Sequence, residues 1–277
     1  MDFQCKFLLK KRLERNIDDY FIITDKIIGD GISGNVYSCY CKKKYKQYAL
    51  KITKKSTNSY REIYIQSYLK CKNIINIIDL FLNENKFYII LEYADRGDLF
   101  DNLKCKILNE CNILSIIYNI SLIIKDIHLK KVIHGDIKLE NILIKNNKLC
   151  IADFGFSVFS NKNKLSKCFY TLPYTAPEQL DKNIFVYKSD IWSLGVIIYY
   201  FFYDKFPFEY DDNITNTYDV LQLFKKDISF SEDKNCSDEF KKLIINTLKY
   251  DIKERFDIYQ VIHYIEKIFH KKETLSN

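Results

Sequence analysis

Up to about Leu91 the hydrophobic positions fall in short blocks of β type; beyond it they fall in longer blocks of helical type. Tyr20 to Ile28 is rich in β-forming residues, and Val36 to Tyr40 continues as a strand beyond a glycine-bearing turn. Lys42 to Gln47 is a polar turn leading to a short strand over Tyr48, Ala49, Leu50 and Lys51. Arg61 to Ile65 has helical character, and that helix ends at Leu69 before the polar stretch Lys70 to Asn73. Ile74 to Leu82 and Phe87 to Leu91 form two strands around Asn83-Glu84-Asn85. Leu99 to Leu103 starts a helical region, and Ile113 to Leu129 is apolar nearly all round, as a buried central helix is. Ile142 to Ile144 and Leu149 to Ala152 flank the polar turn Lys145-Asn146-Asn147-Lys148, a hairpin that sets Asn141 and Asp153 at neighbouring positions. Ser189 to Val196 opens a further apolar helix, residues 156–175 are polar and irregular, and residues 1–19 read as a charged helical lead-in.

A chain of 277 residues accommodates one large domain or two lobes around a cleft. The net charge of +7 comes from 43 basic and 36 acidic residues that are interspersed, which implies a solvated surface rather than direct nucleic-acid binding. The nine cysteines are scattered, odd in number and free of any C-x-x-C, so reduced intracellular thiols are expected in place of disulfides or a zinc site. Met1 to Arg15 is broken by Asp2, Lys6, Lys10, Lys11 and Arg12, unlike a signal peptide, and Met-Gly for myristoylation is missing. The longest charge-free runs, Cys111 to Ile124 and Ile191 to Tyr203, fall short of the ~18 residues of a membrane span. These features predict an intracellular monomer, cytoplasmic or nuclear, without membrane contact. Ile, Lys, Asn and Tyr are abundant while Gly, Pro, Ala and Trp are scarce, which suggests AT-rich coding DNA from a parasite or a large DNA virus.

The chemistry concentrates between Val132 and Gly155. Asp136 sits two residues before Lys138, and Asn141 and Asp153 are oxygen donors of the kind Mg²⁺ takes. All seven glycines, Gly29, Gly31, Gly34, Gly97, Gly135, Gly155 and Gly195, lie in or beside segments of interest. Gly29-Asp30-Gly31-Ile32-Ser33-Gly34 fits the G-x-G-x-x-G pattern. A dinucleotide fold would put a helix directly after it; a strand follows here, which favours a β-hairpin laid over phosphates. Lys51 on a buried strand is costly unless paired, and Glu62 is its candidate partner.

His134-Gly135-Asp136-Ile137-Lys138-Leu139-Glu140-Asn141, with Asp153-Phe154-Gly155, resembles the catalytic loop and metal-binding segment of protein kinases in their serine/threonine version. Thr171-Leu172-Pro173-Tyr174-Thr175-Ala176-Pro177-Glu178 resembles the substrate-binding loop ending in Ala-Pro-Glu, and Ser189-Asp190-Ile191-Trp192 resembles the start of the αF helix. The resemblance covers about residues 20–270. It implies an α+β, bilobal protein kinase fold with a small β-rich N-lobe holding one main helix and a larger, mostly helical C-lobe. The expected divisions are an N-terminal extension at 1–19, N-lobe and hinge at 20–93, C-lobe at 94–270 and a short tail at 271–277.

By that resemblance the chain is an ATP-dependent serine/threonine kinase acting on protein substrates, basic ones among them. Ile28, Gly29, Asp30, Gly31, Ile32, Ser33, Gly34, Asn35 and Val36 cover ATP; Lys51 holds its α- and β-phosphates, and Glu62 holds Lys51. Ala49 and Val36 roof the purine, Leu143 floors it, Leu91 is the gatekeeper, Glu92-Tyr93-Ala94 is the hinge, and Asp98 meets ribose. Asp136 is the base, Lys138 neutralises the moving phosphoryl group, Asn141 and Asp153 hold Mg²⁺, Thr171 marks the substrate loop, and Glu178 pairs with Arg255.

Several positions depart from the family pattern. Gly135 replaces the usual arginine, Tyr170 stands where many kinases have glycine, and the interval from Lys51 to Glu62 is only 11 residues, so the αC helix is truncated at its start. Gln66 replaces an apolar residue, and its buried amide implies a mobile or slightly rotated helix unless it finds partners. Gly135 and Gln66 are the features that a pseudokinase scaffold would share. The short interval and the compact chain also resemble the protein kinases of baculoviruses and related large insect DNA viruses. Lacking the arginine that receives an activation-loop phosphate, the chain is expected to be active without that modification.

Overall fold

The computed structural model describes residues 15–29, 34–104, 108–162, 164–165, 171–209, 216–231 and 236–276. The chain divides into two compact units, residues 1–97 with 143–155, and residues 98–142 with 156–277. The hairpin after the catalytic loop thus goes with the first unit.

The first unit is built on a five-stranded antiparallel sheet of β1 (Phe21–Gly29), β2 (Asn35–Cys41), β3 (Gln47–Lys54), β4 (Ile77–Leu82) and β5 (Lys86–Glu92), in the order β1-β2-β3-β5-β4. In β3 Tyr48, Ala49, Leu50 and Lys51 are all buried, because the strand is central and both of its faces are covered. Tyr48 and Leu50 join Ile17, Phe21, Cys39, Phe81 and Ile90 on one face. On the other, Phe87 and Ile89 of β5 and Leu80 and Leu82 of β4 pack with Ile63 of helix α1 (Thr57–Leu69). Ile17 lies in a short 3₁₀ turn, Ile17–Asp19, and belongs to this core; of the expected helical lead-in, residues 1–14 lie outside the described residues.

Only Lys55 and Ser56 separate β3 from α1, which is how the Lys51 to Glu62 interval is kept short. The abrupt start is stabilised by a capping box. Ser56 Oγ accepts from Ser59 N at 3.1 Å, and Ser56 N donates to Ser59 Oγ at 2.9 Å. Ile74 and Ile75, expected in β4, pair instead with Ile151. The hairpin of β7 (Ile142–Lys145) and β8 (Lys148–Ile151) forms as expected, with Asn146 and Asn147 both at positive φ, the conformation a tight two-residue turn requires.

The second unit contains α2 (Leu99–Leu103), α3 (Glu110–Leu129), α4 (Pro177–Lys182), α5 (Tyr187–Tyr203), α6 (Thr217–Leu223), α7 (Asp238–Thr247) and α8 (Ile258–Ser276), with a small β-pair, β6 (Val132–Ile133) and β9 (Val158–Phe159). α8 runs on through the stretch expected to be a tail. α5 is buried along nearly its whole length and packs against α3 and α7; α3 also packs on α8. Among the described residues α3 alone is long and apolar enough to cross a membrane by length and composition, and half of it is buried within this unit.

Candidate active site

Within the first unit, β3 and α1 aim Lys51 and Glu62 at each other. Lys51 Nζ lies 2.5 Å from Glu62 Oε1 and 3.1 Å from Asp153 Oδ1. Burial alone would lower the Lys51 pKa, but the charges and hydrogen bonds of Glu62 and Asp153 outweigh it and raise it, so the amine stays cationic. Burial raises Glu62, with Lys51 acting against it. Asp153 has a φ of +59, and its Oδ1 also accepts from Gly155 N at 3.1 Å. Arg61 Nη2 donates to the Gly155 carbonyl at 2.7 Å, so α1 grips the end of this segment beside the ion pair. The sequence marks Arg61 only as part of a helix. Gln66 is buried and donates to the Ile75 carbonyl at 2.6 Å. That partner satisfies the amide without displacing α1, since Lys51 and Glu62 meet.

In the expected purine pocket, Ala49 faces Leu91 and Val36 faces Lys51 in the sheet register, and Leu143 lies in β7. Ile28 and Gly29 end β1, and Asn35 begins β2; Asp30, Gly31, Ile32 and Ser33 lie outside the described residues. Gly34 has a φ of +130, and a Cβ there would run into the Ile52 carbonyl, so glycine is required. The Glu92 carboxylate is engaged, accepting from Asn76 N at 3.0 Å, Asn76 Nδ2 at 2.9 Å and Lys145 Nζ at 2.7 Å. Ala94 accepts from Gly97 N at 3.4 Å.

Within the second unit, Asp136 is the hub. Its Oδ2 lies 3.2 Å from Lys138 Nζ and accepts from Asn141 Nδ2 at 3.1 Å, and its Oδ1 accepts from Thr171 Oγ1 at 3.1 Å. Lys138 Nζ also donates to Thr171 Oγ1 at 3.3 Å, closing a triangle of acid, cation and hydroxyl. Asn141 spends its amide nitrogen on Asp136, which leaves its carbonyl oxygen as the donor for a hard cation.

The loop is hung on Asp190 at the start of α5, whose carboxylate accepts from His134 N at 3.0 Å and Gly135 N at 2.8 Å and lies 2.8 Å from His128 Nε2. Burial alone would raise the Asp190 pKa; the hydrogen bonds and charge of His128 and the Gly135 N–H pull it below the ordinary value. Glu178 and Arg255 form a buried bidentate pair at 2.8 and 3.0 Å, joined by Ser189 Oγ at 2.7 Å. Arg255 also donates to the Lys188 and Lys249 carbonyls, and its guanidinium lies 5.0 Å over Trp192. Asp98 caps α2 by accepting from Asp101 N at 2.8 Å, a helix-capping signal that the ribose expectation passed over. Gln179, which the sequence did not single out, and Ser157, which it offered only as an activation-segment hydroxyl, hold the carbonyls of Gly135 and His134 at 2.9 and 2.8 Å.

A lysine kept cationic between two carboxylates suits a polyphosphate, and a carboxylate beside a lysine and a hydroxyl suits an alcohol acceptor. Each arrangement, taken within its own unit, is of the kind that phosphoryl transfer uses. The family model of the protein kinase domain matches residues 22–265. The chain is 35% identical over 247 residues to an Aurora kinase of Patiria pectinifera, covering 85% of this chain and 60% of that protein. It is 33% identical over 249 residues to serine/threonine-protein kinase Aurora-1 of Arabidopsis thaliana (86% and 83%), and 34% identical over 268 residues to an Aurora kinase of Dictyostelium discoideum (92% and 68%). The chain therefore belongs to the protein kinase domain family, in its eukaryotic-type serine/threonine class of ATP-dependent enzymes. It spans less than two thirds of the length of the Patiria relative. These relatives do not carry the narrower likeness to insect-virus kinases.

Proposed function

We propose that this chain transfers the γ-phosphoryl group of ATP to a serine or threonine hydroxyl of a protein, and that it does so without phosphorylation of its own activation segment. The observation that carries the reading is the triangle of Asp136, Lys138 and Thr171. Asp136 orients the acceptor hydroxyl and finally takes its proton, and Lys138 offsets the charge of the moving phosphoryl group. Lys51, held by Glu62, binds the α- and β-phosphates, and the glycine-rich turn from Gly29 to Gly34 covers them. Ala49, Val36, Leu143, Glu92 and Ala94 bound the adenine, and Asp98 meets the ribose. Asn141 and Asp153 supply the oxygen donors that Mg²⁺ prefers, and a bound Mg²⁺ would neutralise phosphate charge there.

Independence from phosphorylation follows from Gly135, which has no side chain to pair with a phosphate on residues 157–175. The lysines nearby in sequence are point charges without the arginine fork. The acids Asp98, Glu140 and Glu209, with Asp211 and Asp212 outside the described residues, favour basic residues near the acceptor. Free thiols at Cys39, Cys41, Cys71, Cys111, Cys150 and Cys236 suit a reducing, intracellular setting. Against a scaffold-only role stand the paired Lys51 and the engaged Asp136.

The test is to purify the protein from bacteria, strip it with a phosphatase and follow labelled phosphate from ATP into a generic basic protein. Incorporation is expected at an undiminished initial rate, and is expected to vanish in Asp153→Ala. A rate that collapses and returns only on re-phosphorylation within residues 157–175 would refute the regulatory half. No incorporation at all would refute the whole.

A further inference from the structure

Gly135, between His134 and Asp136, is held from three directions. Its N–H donates to Asp190 Oδ1 at 2.8 Å and its carbonyl accepts from Gln179 Nε2 at 2.9 Å. Its φ of +80 is one that residues with a side chain rarely adopt. A Cβ built there would stand 2.7 Å from Phe185 Cδ1, 2.8 Å from Phe185 Cε1 and 3.0 Å from the Phe156 carbonyl oxygen. Phe185 thus occupies the space that any side chain at residue 135 would need.

Phe185 is 1% exposed and packs with Ile133, Val158 and Leu165. Ile133 leads directly into the catalytic loop, and Leu165 belongs to the activation segment. The residues just before Phe185 reach the same segment by backbone. Lys164 and Ile184 form an antiparallel bridge, and Asn183 Nδ2 donates to the Leu165 carbonyl. Apolar packing and backbone pairing of this kind need no added charge to form.

We propose that Phe185 is a positioning residue of this kinase, an apolar wedge that fixes the catalytic loop at Gly135 and the activation segment at Leu165. The proposal rests on the phosphotransfer reading above. It supplies the means by which a chain with glycine at residue 135 holds Leu165 of its activation segment against the catalytic loop: a buried aromatic ring, present from synthesis.

The experiment uses the full chain, purified from bacteria and phosphatase-treated, in wild-type, Phe185→Ala and Phe185→Leu forms. Steady-state rates are measured with Mg-ATP and a basic protein, and nucleotide affinity with a fluorescent ATP analogue. Phe185→Ala is expected to lower kcat about tenfold or more, as misplacement of reacting groups does. Analogue affinity and the KM for ATP should stay within about twofold, since uniform binding is untouched. Phe185→Leu should recover most of the rate, and proteolysis within residues 157–175 should quicken in Phe185→Ala alone. If Phe185→Ala does not fold, Leu165→Ala loosens the same cluster from the other side and reads the same quantities. An unchanged kcat, or a loss of kcat matched by an equal loss of analogue binding, overturns the proposal and leaves the phosphotransfer reading standing. A wild-type protein that binds the analogue yet transfers no phosphate overturns both.

Discussion

The Thr171 hydroxyl donates to Asp136 Oδ1 at 3.1 Å, tying the substrate loop to the candidate base across 35 residues of sequence. A hydrogen bond to a charged group contributes about 1.5–3 kcal/mol. If that is expressed in the transition state, Thr171→Val should lower kcat by roughly 10- to 100-fold. Thr171→Ser, which keeps the hydroxyl, should recover most of it. Rates on a single peptide decide the matter; equal rates for Val and Ser would show that the hydroxyl does not orient Asp136.

Asp190 gives a pH signature. An unfolded aspartate titrates near ~3.9, and the folded Asp190 lies below its ordinary value. Its ionised form therefore stabilises the fold fully above that unfolded value, and the contribution is lost as the pH falls through the lower, folded one. Asp190→Asn should be destabilised by on the order of 2 kcal/mol or more near neutral pH. The gap in urea midpoint between wild type and variant should narrow below about pH 4. A gap that widens on acidification would contradict the assignment.

Arg255 and Glu178 form a fully buried pair, so removing one partner strands a charge. Arg255→Ala should cost about 3–5 kcal/mol, whereas Arg255→Met with Glu178→Leu should recover much of that loss. Thermal unfolding of the single and double variants measures the difference. Equal destabilisation of the two would mean that packing, not charge, dominates there.

Gly135→Ala meets two penalties: a backbone conformation that disfavours L side chains and a collision with Phe185. Together they amount to roughly 2–5 kcal/mol. Denaturant titration should find the variant destabilised by that order, and a neutral substitution would mean the local geometry is looser than described.

Much of this was legible in the sequence, and the reasons are local. Lys51 in an apolar strand demanded a carboxylate partner, and Asn146-Asn147 between apolar runs demanded a tight turn. Asp190 and Arg255 were legible through the family likeness rather than through their own surroundings. Phe185 was not, because an aromatic residue in a mixed stretch carries no sign of which distant glycine it will meet. Gln66 looked like a defect, and only the position of the Ile75 carbonyl shows that its amide is satisfied. Ile74 and Ile75 read as strand because an apolar run does not tell which neighbour it will pair with.

The bond between Glu178 and Arg255 also sets an order of events at the ribosome. The two residues are 77 apart in sequence. At roughly 5–20 residues per second, synthesis leaves Glu178 without its partner for about 4–15 s. During that time the carboxylate has reason to stay hydrated, and the place over Trp192 that Arg255 will occupy stays open. Native closure of the helical unit is thus incomplete until Arg255 has emerged, which makes maturation of this unit late. Arrested nascent chains should accordingly show little protease resistance in this unit at lengths that still hide Arg255; full resistance before that point would show that the unit closes without it.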